Sequence, residues 1–173
     1  MVGQLLCIVF LLLYPLFYWK RLPRTRDEWL TLPPDFGAPD DQRLDLSIHS
    51  ESDVADVMKK VYDFCLRVGV DKLKAKNCAL CLEEIAYNTI QHGFHADKQL
   101  IHAIDVRVVH RDEEIMLRLK DDCIPFNPTE WLAMHEKADP EQSMGLRLVS
   151  SIAHEIEYQN LLGLNVLTIR VRT

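Results

Sequence analysis

The stretch Leu119-Lys120-Asp121-Asp122-Cys123-Ile124-Pro125-Phe126-Asn127-Pro128 runs out of an alternating segment into two acids, then a turn with two prolines. Ile115, Leu117 and Leu119 alternate with polar neighbours, the period of a half-buried strand. An acid at such a strand end, facing a pocket, can accept the exocyclic amino proton of adenine. A charged acceptor makes that bond strong and discriminating. An ordinary acidic turn carries the same residues, so the neighbouring segments decide.

Upstream, Leu44, Leu46 and Ile48 alternate as a first strand. Ser50 or Ser52 can cap a helix with Val54, Val57, Met58, Val61, Phe64 and Cys65 inward, ending near Gly69. Asp71 opens a second helix predicted to reach about His92, with Leu73, Cys78, Leu82, Ile85, Ala86, Thr89 and Ile90 available for packing. Ile104, Val106 and Val108 make another strand. Downstream, residues 122–144 read as irregular, with a short helical turn over 131–136. A helix is expected over 145–153, then strands over 156–159 and 166–171 joined by a turn at Leu162-Gly163. The order β-α-α-β-β-α-β-β predicts an α+β fold, a two-layer sandwich of a mixed or antiparallel sheet with helices on one face.

Two further motifs carry chemistry. Glu84, Asn88 and His92 recur at every fourth position of the second helix and so form one slowly drifting stripe. Amide and carboxylate oxygens are the hard ligands Mg²⁺ prefers, and a carboxylate nearby can take a proton from an attacking hydroxyl. Taken alone, such a stripe is more often a solvated face. In Glu141-Gln142-Ser143-Met144-Gly145-Leu146-Arg147-Leu148-Val149 a small-residue loop leads into a helix, where free N–H groups and the positive dipole end favour phosphate. Gly145 would let the backbone come close.

The three motifs in this order resemble the N, G1 and G2 boxes of the GHKL (Bergerat) ATPases, and most of all the compact serine kinases that act as anti-sigma factors. The resemblance covers residues 43–173. It implies ATP and Mg²⁺ as ligands, with Glu84 the catalytic base, Asn88 the Mg²⁺ ligand and Asp121 the adenine acceptor. It also implies that His92, Cys123, Pro125 and Phe126 border the nucleotide, and that Ser143, Met144, Gly145 and Leu146 contact the triphosphate. Cys123 stands where the G1 box usually has glycine, and Ser143 where the G2 box begins with one. Crowding of the adenine pocket or its backbone turn, a stiffer phosphate loop and reduced or lost nucleotide affinity are the expected consequences, while the presence of Glu84, Asn88 and Asp121 together favours a working site.

The totals suit one domain plus an appendage: 173 residues, 48% apolar, net charge -6. The acidic balance argues against a nucleic-acid binder. Five cysteines, odd in number and without a dense framework, fit reduced thiols. Cys78 and Cys81 form a lone C-x-x-C mid-helix and read as packed thiols, the histidines show no metal spacing, and Ser150 and Ser151 lack a hydrolase context.

Residues 2–19 carry no charge, end in Tyr14, Phe17, Tyr18 and Trp19, and precede Lys20, Arg21, Arg24 and Arg26. The expectation is a transmembrane segment over 1–20 with the remainder cytoplasmic. It leaves open that the segment is the last span of a longer membrane protein. Residues 21–42, with Pro23, Pro33, Pro34 and Pro39, read as a linker, and 43–173 as the ATP-binding domain.

Three readings follow. The first is a Mg-ATP-dependent kinase that phosphorylates Ser or Thr of a partner regulator, an antagonist or sigma-factor-like protein. The second is a catalytically weak or inactive ATP-binding and docking module that controls a fused or associated membrane protein. The third is a membrane-anchored α+β domain without nucleotide. Homodimerisation is implied only by the resemblance.

Overall fold

The computed structural model describes residues 38–94, 102–135 and 140–173. The membrane segment expected at 1–20 and most of the expected linker lie outside these residues. Among the described residues, no helix is long and apolar enough to cross a membrane.

Alternating apolar residues build the sheet. Strands β1 (Arg43–Ile48), β2 (Ile104–Arg111), β3 (Glu114–Asp121), β4 (Glu155–Leu161) and β5 (Leu164–Arg172) pair in the order β1-β2-β3-β5-β4. All four pairings are antiparallel, which resolves the mixed-or-antiparallel alternative. Register sets Leu46 beside Val106, Val106 beside Leu119, Leu119 beside Leu167, and Leu167 beside Tyr158. One apolar row thus crosses the sheet on its inner face, and Leu44, Val108, Leu117, Ile169 and Ile156 form the next. The other face is polar, with Arg107 paired to Asp45, and Lys120 to Asp105 at 3.4 Å. Both tight hairpins turn through left-handed backbone, at Asp112 and Glu113 (φ 52° and 62°) and at Leu162 and Gly163 (φ 54° and 82°). That geometry matches the right-handed twist of the strands.

The helices cover the inner face. Helix α1 (Glu51–Arg67) starts where the Asp53 carboxylate accepts from the N–H groups of His49 and Ser50, both at 2.9 Å, and from the Ser50 hydroxyl. Those bonds, the His49 N–H first, hold the Asp53 carboxyl below its ordinary range. Val54, Val57, Val61, Phe64 and Cys65 are buried from this helix. Helix α2 (Lys72–Asn88) is capped by Asp71, which accepts from the Leu73 N–H at 2.8 Å. Leu73 itself is exposed rather than packed, because it lies in the first turn, outside the buried stripe from Ala75 to Ala86. Cys65, Cys78 and Cys81 are all buried between α1 and α2. All three are free thiols.

Three local expectations need correction. The α-helix stops at Asn88 and continues as a π-helical turn, Thr89–Phe94, where the Thr89 hydroxyl donates back to the Ile85 carbonyl. Helix α3 (Pro128–Met134) begins three residues earlier than predicted, because Asn127 caps it and Pro128 opens it. Helix α4 (Pro140–Ile152) already covers residues 140–144, so the segment expected to be a loop leading to Gly145 is helical.

Candidate functional site

Strand parity creates the site. Asp121, Asn165 and Asn160 continue the inner-face positions of Leu119, Leu167 and Tyr158, so the apolar row gives way to a polar one at the sheet end. Beyond it opens a cavity of about 550 Å³. Ile85, Asn88, Thr89, His92 and Gly93 line it from α2 and the π-turn, and Leu119, Asp121, Asn165 and Leu167 from the sheet. Residues 123–126, Pro128 and Trp131 form one lip, and Leu146 of α4 closes the side.

Asp121 is fixed in place. Its Oδ1 accepts from the Cys123 N–H at 2.9 Å and from Asn165 Nδ2 at 2.8 Å. Asn165, 5% exposed, also donates to the Cys123 carbonyl and accepts from Tyr158 Oη and Asn160 Nδ2. Neither bond to Asp121 uses Oδ2, which leaves that oxygen as an acceptor for a base. Among the described residues, no buried side-chain nitrogen or oxygen lacks a partner. Asn165 and Tyr158 were missed in the sequence reading, although the parity of β5 and β4 carries the signal.

Cys123 lines the cavity and also packs against the π-turn. Its side chain packs where Gly93 has none, since a Cβ on Gly93 would lie 2.8 Å from both its Cβ and Sγ. One small residue thus accommodates the other. Burial, and after it the charge of Asp121, pushes the Cys123 thiol up to about 12. It is a protonated, packed thiol at neutral pH.

The predicted phosphate segment divides. Leu146 lines the cavity, whereas Met144 is exposed and Ser143 is fully buried with its hydroxyl accepting from Arg147 Nε at 2.8 Å. The space at Gly145 is taken by a side chain: a Cβ there would overlap the Glu84 carboxylate. Glu84 therefore packs against α4 and does not line the cavity, although Asn88 and His92 do. Of the remaining predicted residues, Asp121, Cys123, Pro125 and Phe126 all line it. Trp131 stacks on His135 at 4.4 Å between ring centroids, so it is anchored while facing the cavity.

A family model described as the histidine kinase-like ATPase domain matches residues 49–171. The chain belongs to this family. It is thereby a GHKL-type domain, and its α+β fold of antiparallel sheet and covering helices agrees. Among solved structures, it is similar to the histidine kinase domain from Erythrobacter litoralis EL346 blue-light activated histidine kinase. That match has 15% identity and a TM-score of 0.46, and covers 70% of this chain and 60% of the other. No curated protein matches.

Proposed function

We propose that the domain binds Mg-ATP and transfers the γ-phosphoryl to a serine or threonine of a partner regulator, in the manner of anti-sigma-factor kinases. The observation that carries the reading is Asp121, locked by Cys123 and Asn165 at the inner end of a cavity whose walls include Ile85, Leu119 and Leu167. A fixed anionic acceptor between apolar walls suits the amino edge and faces of adenine. The Asn88 amide oxygen would hold Mg²⁺, which when bound neutralises phosphate charge. Glu84, one helical turn before Asn88, is assigned the proton of the acceptor hydroxyl. Residues 1–20 are proposed as a membrane tether that leaves the domain in the cytoplasm, on the strength of the apolar run and the basic residues after it.

The packing of Glu84 against Gly145 favours a second reading, a nucleotide-binding docking module without transfer. Calorimetric titration with ATP, with and without Mg²⁺, tests the site itself. Asp121→Ala is expected to weaken ATP by roughly 10- to 100-fold, the loss of a hydrogen bond to a charged group. Asn88→Ala is expected to make binding insensitive to Mg²⁺. Phosphate transfer to a partner, lost in Glu84→Ala with ATP binding retained, separates kinase from docking module. Absence of wild-type binding at millimolar ATP ends both.

A further inference from the structure

Antiparallel pairing brings the start of β2 and the end of β3 to the same end of the sheet. Two residues before β2 stands His102, and directly after β3 come Asp122 and Cys123. One ligand atom from each of the three lies within 4.8 Å of the others. His102 Nδ1 is 2.8 Å from Asp122 Oδ1, and the imidazole is stacked on Phe94 at 5.5 Å between ring centroids. His102 is 6% and Cys123 7% exposed, whereas the Asp122 side chain is 47% exposed. Two donors are thus held in the interior, and the third opens a route for a hydrated ion.

We propose that His102, Asp122 and Cys123 form a site for a borderline-soft divalent cation of the Zn²⁺ class, separate from the Mg²⁺ position assigned to Asn88. The donor set of nitrogen, oxygen and sulfur decides the class. Thiolate and imidazole select Zn²⁺ over Mg²⁺ or Ca²⁺, which prefer oxygen alone. Zn²⁺ bonds of about 2.0–2.3 Å in a tetrahedron set ligand atoms roughly 3.5 Å apart. The site is therefore close to its bound dimensions: the His102–Asp122 pair opens slightly, and the Cys123 sulfur moves in, its thiol proton passing to solvent as the cation takes its place. Three protein ligands leave the fourth position to water. Asp121, whose Oδ1 is held by Cys123 and Asn165, is not needed as a ligand. The assignment does not depend on the nucleotide reading.

Co²⁺ titration of the full chain, followed by absorption spectroscopy, tests it, with Cys7→Ser in every protein to remove the thiol outside the described residues. One equivalent of Co²⁺ is expected to give visible tetrahedral bands and a near-ultraviolet thiolate charge-transfer band. Zn²⁺ is expected to displace it stoichiometrically, and millimolar Mg²⁺ to leave it in place. In Cys123→Ser the charge-transfer band disappears, and in His102→Gln affinity falls at least tenfold, with circular dichroism confirming the fold. If either variant unfolds, Asp122→Asn at the exposed ligand carries the test by the same loss of affinity. Charge transfer that persists in Cys123→Ser, or a folded wild-type chain that binds no Co²⁺ or Zn²⁺ at stoichiometric concentration, overturns the proposal.

Discussion

At the sheet end of the cavity Asp121 is held by two donors, and Asn165 ties Cys123, Tyr158 and Asn160 into the same network. At the helical end, Glu84 lies against the backbone of Gly145 within α4, and the predicted phosphate segment is already wound into that helix. The first end is preorganised, because Asp121 and Asn165 are bonded to each other, to the neighbouring strand and to the turn that follows β3. The second end holds its acid by packing alone. A ligand that uses both ends would meet fixed polar groups at the first and the Glu84 side chain, packed on Gly145, at the second. The two ends can therefore be perturbed separately by mutation.

The largest effect is expected where the network is densest. Asn165→Leu leaves the Tyr158 hydroxyl and the 121–123 turn without their partner. A loss of about 3 to 5 kcal/mol in urea unfolding follows from two or three unpaired groups at ~1–3 kcal/mol each. A loss below 1 kcal/mol would mean that the sheet end is no more constrained than the helical one.

Gly145→Ala probes the opposite end. If α4 is firmly seated, the new methyl overlaps the Glu84 carboxylate and stability falls by about 1–3 kcal/mol, with recovery in the Glu84→Ala, Gly145→Ala double variant. A neutral Gly145→Ala would show that the Glu84 side chain or α4 gives way easily, and would sharpen the contrast between the ends.

The Gly93–Cys123 contact joins the π-turn to the sheet end. Gly93→Ala alone is expected to cost about 1–2 kcal/mol, and Cys123→Gly to relieve part of it. Additive losses in the double variant would remove the compensation argument.

The smallest effect lies away from both ends. The folded-state pKa of Asp53 is lowered by its bonds to His49 and Ser50, so its contribution is present above the unfolded carboxylate range and is lost as pH falls through the lowered folded value. Asp53→Asn should flatten the acid limb of a stability profile while leaving the neutral-pH ATP titration unchanged. A change in ATP affinity would contradict the separation of this cap from the site.

Strand identity, both main helices and the position of Asp121 were legible in the sequence, because period-2 and helical apolar patterns are local. The Asn127-Pro128 helix start is equally local, but the prolines around it give the same stretch the look of an irregular turn. The run around Gly145 was misleading for a different reason. A glycine between small and polar residues reads as a phosphate loop, but whether it is coiled or helical depends on what packs against it. Here that is Glu84, more than fifty residues away in sequence.

By itself, the sequence determined the α+β pattern, the family resemblance and an acid at a strand end. Those follow from short-range periodicity and motif order. Only the tertiary structure decided that Asn165 locks Asp121, that Gly93 makes room for Cys123, and that His102 meets Asp122. Each of these joins residues brought together by antiparallel pairing or helix packing, and no spacing along the chain encodes such a meeting.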